Sequence, residues 1–139
     1  MFFKNSAKKY QDKNHKYLQE FSYKGELPYP YSEKKSSPFD IRETYGLDIT
    51  MIAWLYERLR FFQEEVTKRV DLEYNKVIID EKEFTLKQCI DRMVNDCSII
   101  LKITCEDKYI YGEEYFRIKD KHMRDLFKVL TEVYWLMWW

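Results

Sequence analysis

The stretch GLDITMIAWLYERLRFFQEE, residues 46–65, decides how the chain is read. Ile52, Leu55, Leu59, Phe62 and Val66 recur at alternating steps of three and four, the repeat of one buried helix face. Asp48 stands where an N-cap belongs, with Gly46 just ahead of it. Trp54 and Phe61 fall elsewhere: at roughly 100° per residue they project more than about 90° from that stripe. Large rings on the back of a helix need cover, because soluble monomers rarely leave extensive apolar patches bare. Glu64–Lys68 and Glu65–Arg69 are expected as i,i+4 pairs, each worth only ~0.2–0.5 kcal/mol, on a solvated flank.

A second helix starts at the clearest signal in the chain. Thr85-x-x-Gln88 is a capping box, in which each side chain satisfies the other residue's free backbone N–H. Its stripe is Leu86, Ile90, Met93, Cys97 and Ile100. A third helix is expected from near Asp120, burying Met123, Leu126, Leu130, Val133 and Met137, with Phe127 and Tyr134 at the edge. Between the first two helices, Val77-Ile78-Ile79 is either a short strand or an apolar plug under a loop. Ahead of the third, TCEDKYIYGEEYFRI could hold a hairpin turning near Gly112. Three singly striped helices with short connections give the expected fold: mainly α, a three-helix bundle with an N-terminal arm and room for one short β-hairpin.

Residues 1–37 read differently from 38–139. They carry eight lysines against four acids and no arginine, although the whole chain balances 24 basic against 24 acidic residues. Pro28, Pro30 and Pro38 make an extended linker after a segment that holds Tyr10, Tyr17 and Phe21 roughly on one side. We divide the chain into a basic aromatic arm and linker (1–37) and a helical core domain (38–139). Two apolar residues after Met1 do not make a secretory signal, and no stretch approaches the ~18–20 apolar residues of a membrane span. The expected location is the cytoplasm, with no membrane partner.

Parts for chemistry are missing from the pattern. Gly25, Gly46 and Gly112 are isolated, so no glycine-rich loop can cradle a phosphate. Cys89, Cys97 and Cys105 lack metal-ligand spacing and read as reduced thiols, buried in the case of the first two. His122 reads as a solvated first-turn residue, and Glu106, Asp107, Glu113 and Glu114 as loop solvation. No enzyme, cofactor or metal is expected.

Glu43, Thr44, Leu47, Asp48, Arg58, Leu59 and Phe62, then Ile90–Met93 and Leu126–Trp135, resemble a family of small bacteriophage-encoded proteins of unknown function. The family pattern is E-T-W-x-L-D, R-L-K-x-F, L-D-K-M and a closing L-F…L-W helix. The resemblance covers about residues 40–135, with Tyr45 in place of the usual tryptophan, Arg60 in place of lysine, and Leu86 where a tryptophan belongs. It implies a phage origin and an infected bacterium as the setting, and it implies no activity.

Trp54, Phe61, Trp135, Trp138 and Trp139 are therefore the expected contact residues, with Arg58 an anchor for an acidic group on the partner. The expected partner is a host protein, bound and blocked by surface occupation; a defence enzyme is one such target, and a second copy of the chain is another possible partner. The cover for Trp54 and Phe61 could also be the arm. The alternative function is a nucleic-acid-associated or virion accessory protein, with Lys8, Lys9, Tyr10, Lys13, Lys16 and Tyr17 neutralising phosphates and stacking on bases.

Overall fold

The structure, a computed structural model, describes residues 17–21, 47–105 and 110–137. Helix α1 spans Leu47–Glu65 and runs on into a 3-10 turn, Val66–Lys68. Strands β1 (Lys76–Ile79) and β2 (Lys82–Thr85) follow, then α2 (Leu86–Cys105) and α3 (Gly112–Val133), which closes in a 3-10 turn, Tyr134–Leu136. Among the described residues the fold is mainly α: three helices with one antiparallel hairpin. Helix α2 is the central element, packed against both α1 and α3. None of the described helices is long and apolar enough to cross a membrane.

Why α2 is central can be seen in its composition. All five residues of its predicted stripe are buried, and Cys89, Val94, Leu101 and Ile103 bury a second side. The capping box forms as its residue types require. Gln88 N–H donates to Thr85 Oγ1 at 3.1 Å, and Thr85 N–H donates to Gln88 Oε1 at 2.9 Å. The next free donors are met by the preceding loop: Leu86 N–H by the Asn75 carbonyl at 2.8 Å and Lys87 N–H by that of Leu72 at 3.1 Å. Thr85→Ala is expected to cost about 1 kcal/mol, read as a lower denaturation midpoint with an unchanged m-value.

The hairpin lies at residues 76–85, and Gly112 is not its turn. Val77 and Ile79 face the core while Lys76 and Ile78 face out, with Val77 opposite Phe84. Asp80 and Glu81 both take positive φ, 49° and 64°, the primed two-residue turn that matches strand twist. Asp80 also accepts a bond from Lys128 Nζ at 2.6 Å, which ties the turn to α3. Gly112 instead opens α3, at φ 63° in the left-handed region that glycine enters freely. Helix α3 thus starts eight residues before the expected Asp120, with Glu113 and Glu114 in its first turn, where acids favour the helix dipole.

Two further corrections come from α1. Asp48 sits within its first turn, where its carboxylate meets Lys119 of α3; that bond holds its pKa down. Glu64 and Glu65 do not reach forward to Lys68 and Arg69 as an α-helix would allow. The helix tightens at Val66, so Lys68 pairs with Glu65 at i,i+3, 3.0 Å away, and Glu64 faces back to Arg60 at 3.8 Å.

Part of the segment read as arm belongs to the core. Leu18 and Phe21 are buried in a 3-10 turn, Leu18–Phe21, that packs on α1 and α2, and Tyr17 is buried just ahead of it. Phe21 meets Tyr56 edge to face at 5.1 Å, and Tyr17 donates its hydroxyl to Glu64 at 2.6 Å with Arg60 over its ring. This packing explains why the buried side of α1 is wider than its stripe. Ala53 and Tyr56 are buried with Ile52, Leu59 and Phe62, while Leu55 is only half-buried.

Candidate functional site

On the side of α1 opposite Ile52, Tyr56 and Leu59, a second stripe faces solvent. Leu47, Met51, Trp54, Arg58 and Phe61 step by four, three, four and three, which keeps them within an arc of about 80°. Trp54 is 44% and Phe61 53% exposed, and Leu47 and Met51 are exposed with them. Arg58 lays its guanidinium 4.1 Å over the Trp54 ring and donates to the Trp54 carbonyl at 3.2 Å. The pair is held together before any partner arrives. The 17–21 turn packs on the Tyr56 side of α1 and leaves this stripe open. Among the described elements, none packs on this second apolar face.

A smaller apolar patch sits where β1 approaches the end of α3. Ile78 and Trp135, the latter 57% exposed, line a groove of about 410 Å³ with Val77, Lys76, Glu83 and Glu132. The Trp135 indole N–H is spent on the Glu132 carbonyl at 2.9 Å, so its ring offers apolar surface. Trp138 and Trp139 lie outside the described residues, as do Lys8, Lys9, Tyr10, Lys13 and Lys16. Tyr17 cannot stack on a base from its buried position, and its hydroxyl is taken by Glu64. Burial and that carboxylate push its pKa up to about 12.

The third feature is polar, and the residue reading missed it. Between α2 and α3 lies a cleft of about 580 Å³ with Asp96, His122 and Asp125 on its inner side. Asp96 is 3% exposed, on the stripe side of α2 between Met93 and Cys97. His122 is half-buried in mid-helix, not solvated in a first turn, and its Nδ1 lies 2.8 Å from Asp96 Oδ1. Arg92 holds Asp125 with two nitrogens, Nε donating at 2.8 Å to Oδ2 and the second to Oδ1.

The protonation states follow from burial and partners. Arg92 beside Asp125 holds that carboxyl down to about 2. Burial, followed by the hydrogen bond with Asp125, pushes Asp96 up to about 8. Burial and then the Lys121 charge lower the His122 pKa. At neutral pH the cluster therefore holds a protonated Asp96 and a neutral His122. Asp96 Oδ2 is buried and meets no donor, which an ionised carboxylate would need. A proton on Asp96 lets its carboxyl donate toward Asp125, while its Oδ1 lies against His122 Nδ1. The result is a buried polar chain, His122 to Asp96 to Asp125, anchored by Arg92.

Only fragments of the cluster are visible in the sequence: Asp96 lies beside the α2 stripe next to Cys97, and His122 and Asp125 stand three apart. Among the described residues, no three His, Cys, Asp or Glu side chains are grouped to hold a metal ion. Cys89 and Cys97 are free and buried, and burial raises both thiols, Cys97 to about 12. No protein-family model, no curated protein and no solved structure matches the chain.

Proposed function

We propose that the protein is a non-enzymatic binding protein that docks on a host protein through the outer stripe of α1 and blocks it by occupying its surface. The observation that carries this reading is the stripe itself: four apolar side chains in helical register, exposed, with Arg58 stacked on Trp54 at its centre. Tryptophan and arginine concentrate binding energy at interfaces, and a rigid helix face laid into a groove is a recurring recognition mode. The groove at Ile78 and Trp135 is a second contact of the same kind.

The phage setting rests on the resemblance across residues 40–135 and places the action in the cytoplasm of an infected bacterium. A defence enzyme is the kind of target a protein without catalytic parts would occupy, by analogy with other small phage accessory proteins. The nucleic-acid alternative loses one of its stacking residues with the burial of Tyr17.

The experiment pairs affinity capture from infected-host lysate with a binding constant measured on the purified partner. The Trp54→Ala/Phe61→Ala variant should melt like the native protein and bind that partner ten- to a hundredfold more weakly. Native affinity should also change little with salt, since an apolar interface releases few counterions. A double variant that holds the same partner with undiminished affinity removes the α1 face from the mechanism.

A further inference from the structure

The polar cleft plays no part in that docking, and its charge asks for a ligand of its own. Arg92, Lys121, Arg124 and Lys128 line it from α2 and α3. Three of the four already face carboxylates, Arg92 that of Asp125, Arg124 that of Asp120 and Lys128 that of Asp80, so with Asp96 protonated Lys121 is the charge in excess. The cleft is therefore left with one positive charge in excess and two more cations in exposed, replaceable pairs, and its volume of about 580 Å³ lies within the ~300–1,000 Å³ range of ligand pockets. That is far more than an inorganic anion fills.

We propose that the cleft between α2 and α3 binds a small organic phosphate, its phosphate on Lys121, Arg124 and Lys128 and its polar body over His122 and Asp125. The three cations sit at steps of three and four on α3, so they share one helix face about two turns long. Three cations along one ridge suit a dianion better than a carboxylate. Two of them have surface partners: Arg124 meets Asp120 at 2.7 Å and Lys128 meets Asp80 at 2.6 Å. Exposed pairs of this kind contribute little, so a phosphate can replace them.

The inner wall supplies direction. His122 uses Nδ1 on Asp96, and among the described residues its Nε2 has no hydrogen-bond partner. A phosphate beside Lys121 offsets the charge that helps keep His122 neutral, so the imidazole gains a proton and donates from Nε2 to the ligand. The other charged groups around it are Arg92, Asp96 and Asp125, and these stay locked in their chain.

Backbone amide and histidine ring NMR of the full chain tests the site with four probes: adenosine 5′-monophosphate, ribose 5-phosphate, inorganic phosphate and adenosine. The two organic phosphates should give saturable shifts centred on Lys121–Lys128 with a Kd below about 1 mM. They should also raise the pKa of His122, one of two histidines in the chain. Adenosine should give no shift. Lys121→Ala/Arg124→Ala, both exposed positions, should weaken binding at least tenfold, and Trp54→Ala/Phe61→Ala should leave it unchanged. The proposal is overturned by shifts that do not saturate by 10 mM ligand (roughly 2.7 kcal/mol of binding), or by binding that survives the double alanine variant. Inorganic phosphate binding as tightly as the two organic phosphates would likewise overturn an organic ligand.

Discussion

Leu18→Ala should lower the stability of the domain by about 2–5 kcal/mol, as much as a leucine taken from the middle of α2. Leu18 is 1% exposed and packs in the same core as Ile52, Leu59 and Ile90, although it lies in a segment rich in lysine and followed by prolines. Its neighbours fix the turn in place. Phe21 seats edge-on against Tyr56, and Tyr17 reaches Glu64 beneath the Arg60 guanidinium. For a domain whose total stability is ~5–15 kcal/mol, such a loss is a large fraction of the whole. Urea denaturation followed by tryptophan fluorescence is the measurement, with Phe21→Ala as the companion. An arm that merely trails from the bundle predicts midpoints equal to the native one, and that result would show that residues 17–21 are not core.

The reasons this segment escaped the sequence reading are physical. A stripe of three-and-four steps reports a helix with one buried face, and it finds α1 and α2 because each has a long uninterrupted run. The Leu18–Phe21 turn is four residues, too short to show a period, and its burial depends on Tyr56, which a single stripe places off axis. The early start of α3 was hidden by Gly112 and by acids that read equally well as loop or first turn. The hairpin was half visible in Val77–Ile79, but Asp80-Glu81 lacks the glycine that announces a primed turn. Trp54 and Phe61 stand where the angular count put them, because the angular position of a residue on a helix depends on local geometry alone, and that side of α1 is exposed. The Asp96 cluster needs α2 and α3 brought together, and no spacing within one helix shows that pairing.

Asp96→Asn should leave the fold intact and remove the loss of stability that rising pH causes at this site. The sign follows from proton counts. Asp96 titrates near 4 in the unfolded chain and near 8 in the folded one, so between those values the native state holds the extra proton. Its contribution to stability is complete at pH 4 and is lost as pH rises through 8, at up to about 1.4 kcal/mol per unit. Asp125 acts the other way below that window: with its folded pKa near 2, its contribution is lost as pH falls from about 4 to 2. His122, lowered below 6.5, adds an opposing term just under that value, where the unfolded chain takes up the proton first. Asparagine reproduces the protonated acid atom for atom, with Oδ1 accepting from His122 and the amide donating to Asp125, and it cannot ionise. The variant should therefore match the native protein near pH 4 and gain on it with each unit above, exceeding it by several kcal/mol at pH 9. In thermal melts that is a gain of roughly 6 °C or more. Parallel stability curves for the two proteins from pH 5 to 9 would mean that Asp96 is ionised in the native state, and that the chain from His122 to Arg92 runs through an ion pair instead of a shared proton.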